Sequence, residues 1–152
     1  MRSIRALIGI VIVAGMLALS ACAAPDVELG DLEAELSGIG NVNDATATLS
    51  HPGGAGHTEV AITLYVDDVT DAAVVGVVRA AASVLAADPE VSRHRVSMGL
   101  LQGTPSDFTS DQQRSDARIR LDDTAAAELG LQSGHEFIVL SPDRLSRLAG
   151  EG

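Results

Sequence analysis

The 152-residue chain has no lysine and no tryptophan, and only one cysteine, one tyrosine and two phenylalanines. Each scarcity excludes something. A single thiol, Cys22, leaves no intramolecular disulfide, so apolar burial has to hold the fold together. So few aromatic side chains make that core aliphatic. Without lysine there is no Gly-x-x-x-x-Gly-Lys phosphate loop, and the sequence also lacks a Gly-x-Ser-x-Gly elbow and a His-Glu-x-x-His helix. Positive charge is scarce as well: 10 arginines face 21 aspartates and glutamates, for a formal charge of −11. Such a surface repels nucleic acid and anionic lipid, and nothing in it calls for a cofactor.

What is present begins with a leader. Residues 1–5 carry two arginines, and residues 6–19 are an unbroken apolar and glycine run that ends in small residues. This is the layout of a secretory signal. A spanning helix needs about 20 apolar residues, and no basic cluster follows Leu19 to stop transfer. Leu19-Ser20-Ala21-Cys22 resembles the lipobox of bacterial prolipoproteins. The resemblance covers the first 22 residues. It implies cleavage between Ala21 and Cys22, a diacylglyceryl group on the Cys22 thiol, and a protein held on the extracytoplasmic face of the cell membrane. The alternative is an ordinary signal peptide cut after Ala21 or Ala24. Two acyl chains anchor essentially permanently, since each buried methylene contributes about 0.8 kcal/mol. Losing residues 1–21 removes Arg2 and Arg5 and takes the formal charge from −11 to −13. Residues 22–28 then form a lipidated tether. From Ala23 to Glu28 it reaches at most about 20 Å, which places a single domain, residues 29–150, close to the membrane surface.

Hydrophobic periodicity gives that domain its elements. Leu29, Leu32, Leu36 and Ile39 share a helical stripe ending near Gly38. Ala45, Ala47 and Leu49 alternate with polar residues, as do Val60, Ile62, Leu64 and Val66, and the glycine-rich loop His51–His57 between them predicts a hairpin. Asp68 or Thr70 can cap a long helix with Val74, Val77, Val78, Ala81 and Leu85 inward, ended by Asp88-Pro89. His94, Val96, Met98 and Leu100 share one face of a strand, and Ala117, Ile119 and Leu121 one face of the next. A polar connection, Thr104 to Ser115, joins them, and its Phe108 is a candidate contact residue in an otherwise mobile segment. Asp122 or Asp123 caps an alanine-rich helix, a strand runs from Phe137 to Leu140, and Ser141-Pro142-Asp143 opens a terminal helix. The order αββ-αββ-αβα predicts a single α+β domain, mostly antiparallel, with helices packed on one face of the sheet. The order of its first half resembles small envelope modules such as BON domains and the ring-building modules of secretion-system lipoproteins. No motif of either family accompanies that order.

Four arginines stand out in an acidic chain. Arg93 and Arg95 alternate with Val96 and Met98, and Arg118 and Arg120 with Ile119 and Leu121, so pairing of the two strands predicts a cluster on the open face. Guanidinium forks suit carboxylate or phosphate, which makes the cluster a candidate anion or partner patch; acids such as Glu59 and Asp116 can instead neutralise it across strands, each exposed pair contributing at most about 1 kcal/mol. His51 and His57 flank the glycine-rich loop, but Asp67, Asp68 and Asp71 lie about 30 Å away along one strand. No metal site is expected, and no EF-hand spacing occurs. His94 reads as a strand-end residue.

These features favour a non-enzymatic lipoprotein of the cell envelope that binds or scaffolds an envelope protein or an anionic ligand near the membrane. A small envelope hydrolase is the alternative, and it requires His51, His57 or His94 to meet a carboxylate. A solute-binding component of a transporter is disfavoured by size, because a chain this short cannot build two lobes around a cleft. Free sheet edges leave room for self-association.

Overall fold

The computed structural model describes residues 27–51 and 57–151. The leader, Cys22 and the first residues of the tether lie outside them. The elements run β1 (Val27–Glu28), α1 (Gly30–Ser37), β2 (Val42–Ser50), β3 (Glu59–Val66), α2 (Asp71–Ala87), β4 (Arg95–Gln102), a 3-10 turn (Pro105–Asp107), α3 (Asp111–Asp116), β5 (Arg118–Ile119), α4 (Asp123–Glu128), β6 (Ile138–Leu140) and α5 (Pro142–Ala149). The class is α+β, as the periodicity predicts. Helices cover one face of a mixed, mostly antiparallel sheet.

The sheet order is β1-β2-β3-β4-β5, with β6 also on β4. β2 and β3 form the expected antiparallel hairpin, Ala47 opposite Ile62 and Ser50 opposite Glu59. β3 and β4 pair in parallel, Val60 beside Val96 and Leu64 beside Leu100. The reason lies in α2. At 1.5 Å per residue its 17 residues span about 25 Å, close to the length of an eight-residue strand at about 3.3 Å per residue. The helix therefore returns the chain to the end where β3 began. Valine is a mediocre helix former because its χ1 is restricted, yet Val74, Val75, Val77 and Val78 are all buried, with Ala81, Ala82 and Leu85 following them. Burial of such a side chain contributes about 1.5–3 kcal/mol, against a propensity cost below about 1 kcal/mol. Packing wins.

Inward residues of β2, β3, β4 and β6 meet Leu32 and Leu36 of α1, Ala125 and Ala126 of α4, and Leu145 and Leu148 of α5 in one aliphatic cluster around α2. Asp122 caps α4 by accepting from Ala125 N at 2.8 Å, and Ser141 caps α5 by accepting from Arg144 N at 3.4 Å. At the far end of the sheet Asn41, with φ 71°, brackets Asp68: its Oδ1 accepts from Asp68 N at 2.7 Å and its Nδ2 donates to Asp68 O at 2.8 Å.

Several boundaries differ from the sequence-based expectation. Val27 and Glu28, assigned to the tether, pair with Leu49 and Thr48, so the sheet takes up its last two residues. β4 begins at Arg95, because Asp88 Oδ1 accepts from Glu90 N and Val91 N and winds residues 89–94 into turns around the buried Val91. Arg93 and His94 therefore precede the strand. β5 keeps only Arg118 and Ile119, since the Asp122 cap turns the chain into α4 directly afterwards.

The connection from Thr104 to Ser115 is folded. Asp107 Oδ2 accepts from Thr104 N at 2.6 Å and from Thr104 Oγ1 at 2.9 Å, closing a capping box. Ser110 caps α3, and Arg114 pairs with Asp111 at 2.6 Å. This segment, α3 included, sits on the face away from the other helices. There the Phe108 ring lies 6.1 Å from that of Tyr65, and Tyr65 and Leu101 are buried outside the main core. Phe108 is thus half-buried against Tyr65. Phe108→Ala should cost about 1–3 kcal/mol through lost aromatic contact and burial. Because Tyr65 is the chain's only tyrosine and tryptophan is absent, intrinsic fluorescence reads the change directly. Unaltered tyrosine emission would show that Phe108 does not hold the segment down.

Candidate functional site

β5 and β6 share one border of β4. Arg118 and Ile119 pair with Leu101 and Leu100, while Ile138, Val139 and Leu140 pair with Met98, Ser97 and Val96. They behave as one strand split at Gly99 by the excursion through α4. That excursion is tightly specified. After α4, Leu131 N donates to Ala126 O at 2.8 Å and Gly130 N to Ala127 O at 3.1 Å, with Gly130 at φ 62°. This pair of bonds is a Schellman stop, and the left-handed position requires glycine. Gly134, at φ 77°, then donates to Leu121 O at 2.9 Å, and Ser133 Oγ donates to Asp123 Oδ1 at 2.5 Å.

A cavity of about 330 Å³ lies where this loop faces β6. Its polar lining is Arg95, Arg144, His135 and Gln132; Leu121, Leu131, Phe137, Ile138 and Val139 supply the rest. Arg95 points away from the core because it alternates with buried Val96 and Met98. Arg144 stands in the first turn of α5, whose Leu145 and Leu148 pack inward. His135 Nε2 lies 3.2 Å from Gln132 Oε1. No aspartate or glutamate lines the cavity, although Glu59 neighbours Arg95 across the β3–β4 ladder. Neither Arg95 nor Arg144 makes an ion pair among the described residues.

The four arginines singled out in the sequence separate into different environments. Arg93 pairs with Glu90 at 2.7 Å in the turn before β4. Arg120 pairs with Glu136 at 2.5 Å. Arg118 lies over Gly99 with its guanidinium carbon 4.1 Å from the Phe137 ring centroid, and its Nε and Nη1 are buried without hydrogen-bond partners. Only Arg95 reaches the cavity. Its companions there, Arg144 and His135, went unremarked in the sequence because one belongs to a helix's first turn and the other to a polar loop.

The histidines of the hydrolase alternative lie elsewhere. The strand registers place His51 and His94 at the same end of the sheet, just before or after the pairs of Ser50 with Glu59 and of Glu59 with Arg95, and His57 is exposed nearby. Among the described residues no histidine nitrogen comes within 4.0 Å of a carboxylate oxygen, and no group of three metal-ligating side chains forms.

One carboxylate is perturbed. At the start of α2, partial desolvation comes first and the neighbouring Asp122 carboxylate second, and together they raise the Asp71 carboxyl above its ordinary value, with a carboxyl–carboxyl hydrogen bond adding to the effect. A raised folded-state pKa means that protonation favours the fold. The contribution is complete below the ordinary carboxylate range and is lost as pH climbs through the raised value. Asp71→Asn should therefore flatten the dependence of melting temperature on pH just above the ordinary carboxylate range. An unchanged slope would mean that the Asp71 carboxyl is not raised in solution.

Among the described residues no helix is long and apolar enough to cross a membrane. In comparisons with protein-family models, curated proteins and solved structures, this chain matched none, so the geometry around β6 alone carries the functional reading.

Proposed function

We propose that this protein is a lipoprotein of the bacterial cell envelope, anchored by a diacylglyceryl group on Cys22, whose domain is a non-enzymatic binding module for an anionic ligand with an apolar body. The observation that carries the reading is the composition of the cavity beside β6. In a chain with 21 acidic residues, two arginines without an ion pair among the described residues and a histidine line a hollow that has no carboxylate in its lining. A carboxylate or phosphate bound in the hollow can take charge-assisted hydrogen bonds from these guanidinium groups. The five apolar lining residues ask for hydrocarbon next to the charge. A volume of about 330 Å³ is at the lower end of the range of small-ligand sites, about 300–1,000 Å³. The short tether keeps the site within reach of other membrane components.

The test is a titration of the full lipidated chain in nanodiscs with octanoate, a carboxylate on an alkyl tail. Arg95→Ala and Arg144→Ala should each weaken binding by about tenfold or more, since a hydrogen bond to a charged group contributes about 1.5–3 kcal/mol. Melting temperatures should stay near the wild type because both side chains leave the core untouched. Binding that is absent, or indifferent to both substitutions, removes the cavity from consideration.

A further inference from the structure

The two borders of the sheet are finished differently. On the β2 side, β1 covers Thr48 and Leu49, Leu29 N donates to Ala47 O at 3.0 Å, and Ala47 N is taken by Glu33 Oε1 at 2.7 Å. Ala45 N is taken by Asp44 Oδ1 at 2.8 Å. Carboxylates that occupy backbone donors blunt this edge against an incoming strand. β6 has no such cover. In an antiparallel ladder, successive residues alternately direct both backbone groups at the partner strand and both away from it. At least one residue of Ile138–Leu140 therefore turns its N–H and C=O outward, and no hydrogen bond among the described residues takes them up. The cavity lies along this open border, with Ile138 and Val139 in its wall.

Both arginines stand at one end of β6. Arg95 adjoins Val96, which pairs with Leu140, the last residue of the strand. Arg144 follows Leu140 into the first turn of α5. From this placement we infer that the cavity receives the carboxyl terminus of an extended peptide, which adds as a short strand alongside β6 and runs in the same direction, with its terminal carboxylate between Arg95 and Arg144. This rests on the cavity being the anion site proposed above and names the class of its ligand. β6 is three residues long, so strand addition supplies only a few main-chain bonds. A chain end with its own charge fits such a site better than an internal segment, which would bring backbone but no anion. Side chains alternate along a strand, so one set of the peptide's residues meets Leu121, Leu131 and Ile138 and favours aliphatic residues there. Glu59, beside Arg95 on β3, disfavours an acidic side chain near the terminus.

The experiment uses the full lipidated chain in nanodiscs, labelled for NMR, and four probes: the hexapeptide Thr-Val-Thr-Val-Thr-Val with a free carboxyl terminus, its C-terminal amide, versions N-methylated at alternate amides, and octanoate. The free acid is expected to shift the amide resonances of Ile138–Leu140 and to show cross-strand contacts of a parallel pair. Amidation should weaken it about tenfold or more, and one of the two N-methylation patterns should weaken it while the other is tolerated. If octanoate binds as tightly as the peptide and both N-methylated forms bind unchanged, strand addition is wrong and the carboxylate cavity stands. If no probe perturbs residues 131–144, both readings fall. Amide shifts at β6 that grow with protein concentration in the absence of peptide would assign this border to a second copy of the chain and overturn the inference.

Discussion

Cys22→Ala should abolish membrane retention. In wild-type cells the N-terminal peptide of the mature protein is expected to begin at Cys22 and to carry a diacylglyceryl group, with the amino terminus commonly acylated as well. In the variant that mass should disappear, and the protein should leave the membrane fraction. The size of the effect follows from transfer energetics. A single acyl chain binds reversibly, with an association constant of about 10⁴ M⁻¹, while a second chain adds about 0.8 kcal/mol for each buried methylene and makes dissociation negligible. No other substitution in the chain is expected to change location so completely. Intact-protein and peptide mass spectrometry of membrane fractions decides the matter. An unmodified N-terminus starting at another residue would make this a secreted or leader-anchored domain, and the cavity would then have to be judged as a soluble binding site.

The proposed lipidation would also fix geometry. Only Ala23 to Asp26 separate Cys22 from the first strand, and four residues span at most about 14 Å. Tether and sheet are continuous through Val27 and Glu28, whose strand closes the β2 edge. The open β6 border is on the opposite side of the sheet. On the proposed reading one edge lies on the anchor side and the other is open to a peptide, while the carboxylates of Glu33 and Asp44 occupy backbone donors of the first.

Much of this fold is written in residue spacing. The stripe Val74, Val77, Val78, Ala81, Leu85 and the alternation of Val60, Ile62, Leu64, Val66 have different periods, and each period survives because the residues on it are buried. The Asp122 and Ser141 caps are equally legible, since a short acceptor three residues ahead of a backbone donor is a local arrangement. The Thr104 and Asp107 box was legible on the same grounds and was missed because the segment around it is polar. What spacing does not carry is partnership. Nothing local says that Val60 lies beside Val96 in parallel, that Val27 and Glu28 find Leu49 and Thr48, or that Arg118–Ile119 and Ile138–Leu140 share one border. The site suffers the same limit. Arg95 was visible as a strand arginine, but Arg144 and His135 join it only after the chain has passed through α4, a Schellman stop and a glycine turn. A pairing of Arg93 and Arg95 with Arg118 and Arg120 as one patch required two long strands; the turn at residues 89–94 and the cap at Asp122 shorten both.

Gly99→Val should destabilise the domain by about 1–2 kcal/mol, and removing Arg118 should recover much of that loss. Gly99 sits on β4 at the junction between β5 and β6, and a Cβ placed there would overlap Arg118 Nη1 and approach the Phe137 ring at 3.7 Å. Valine suits a strand better than glycine, by up to about 1 kcal/mol. Overpacking opposes that gain at about 1–3 kcal/mol, and eviction of the guanidinium from the Phe137 face costs a cation–π contact of about 0.5–2 kcal/mol. The balance is unfavourable while Arg118 is present. Arg118 is itself a compromise, because its buried Nε and Nη1 have no hydrogen-bond partners and the aromatic face offsets only part of their desolvation. Arg118→Ala alone should therefore be mild, about 1 kcal/mol, and in the double variant the valine would occupy the vacated space above the sheet. Denaturant unfolding of the two single variants and the double variant measures the coupling. Additive losses would show that Arg118 does not rest on Gly99. A double variant much more stable than the sum of the two single losses would mean that the glycine is there to admit the arginine against the Phe137 ring.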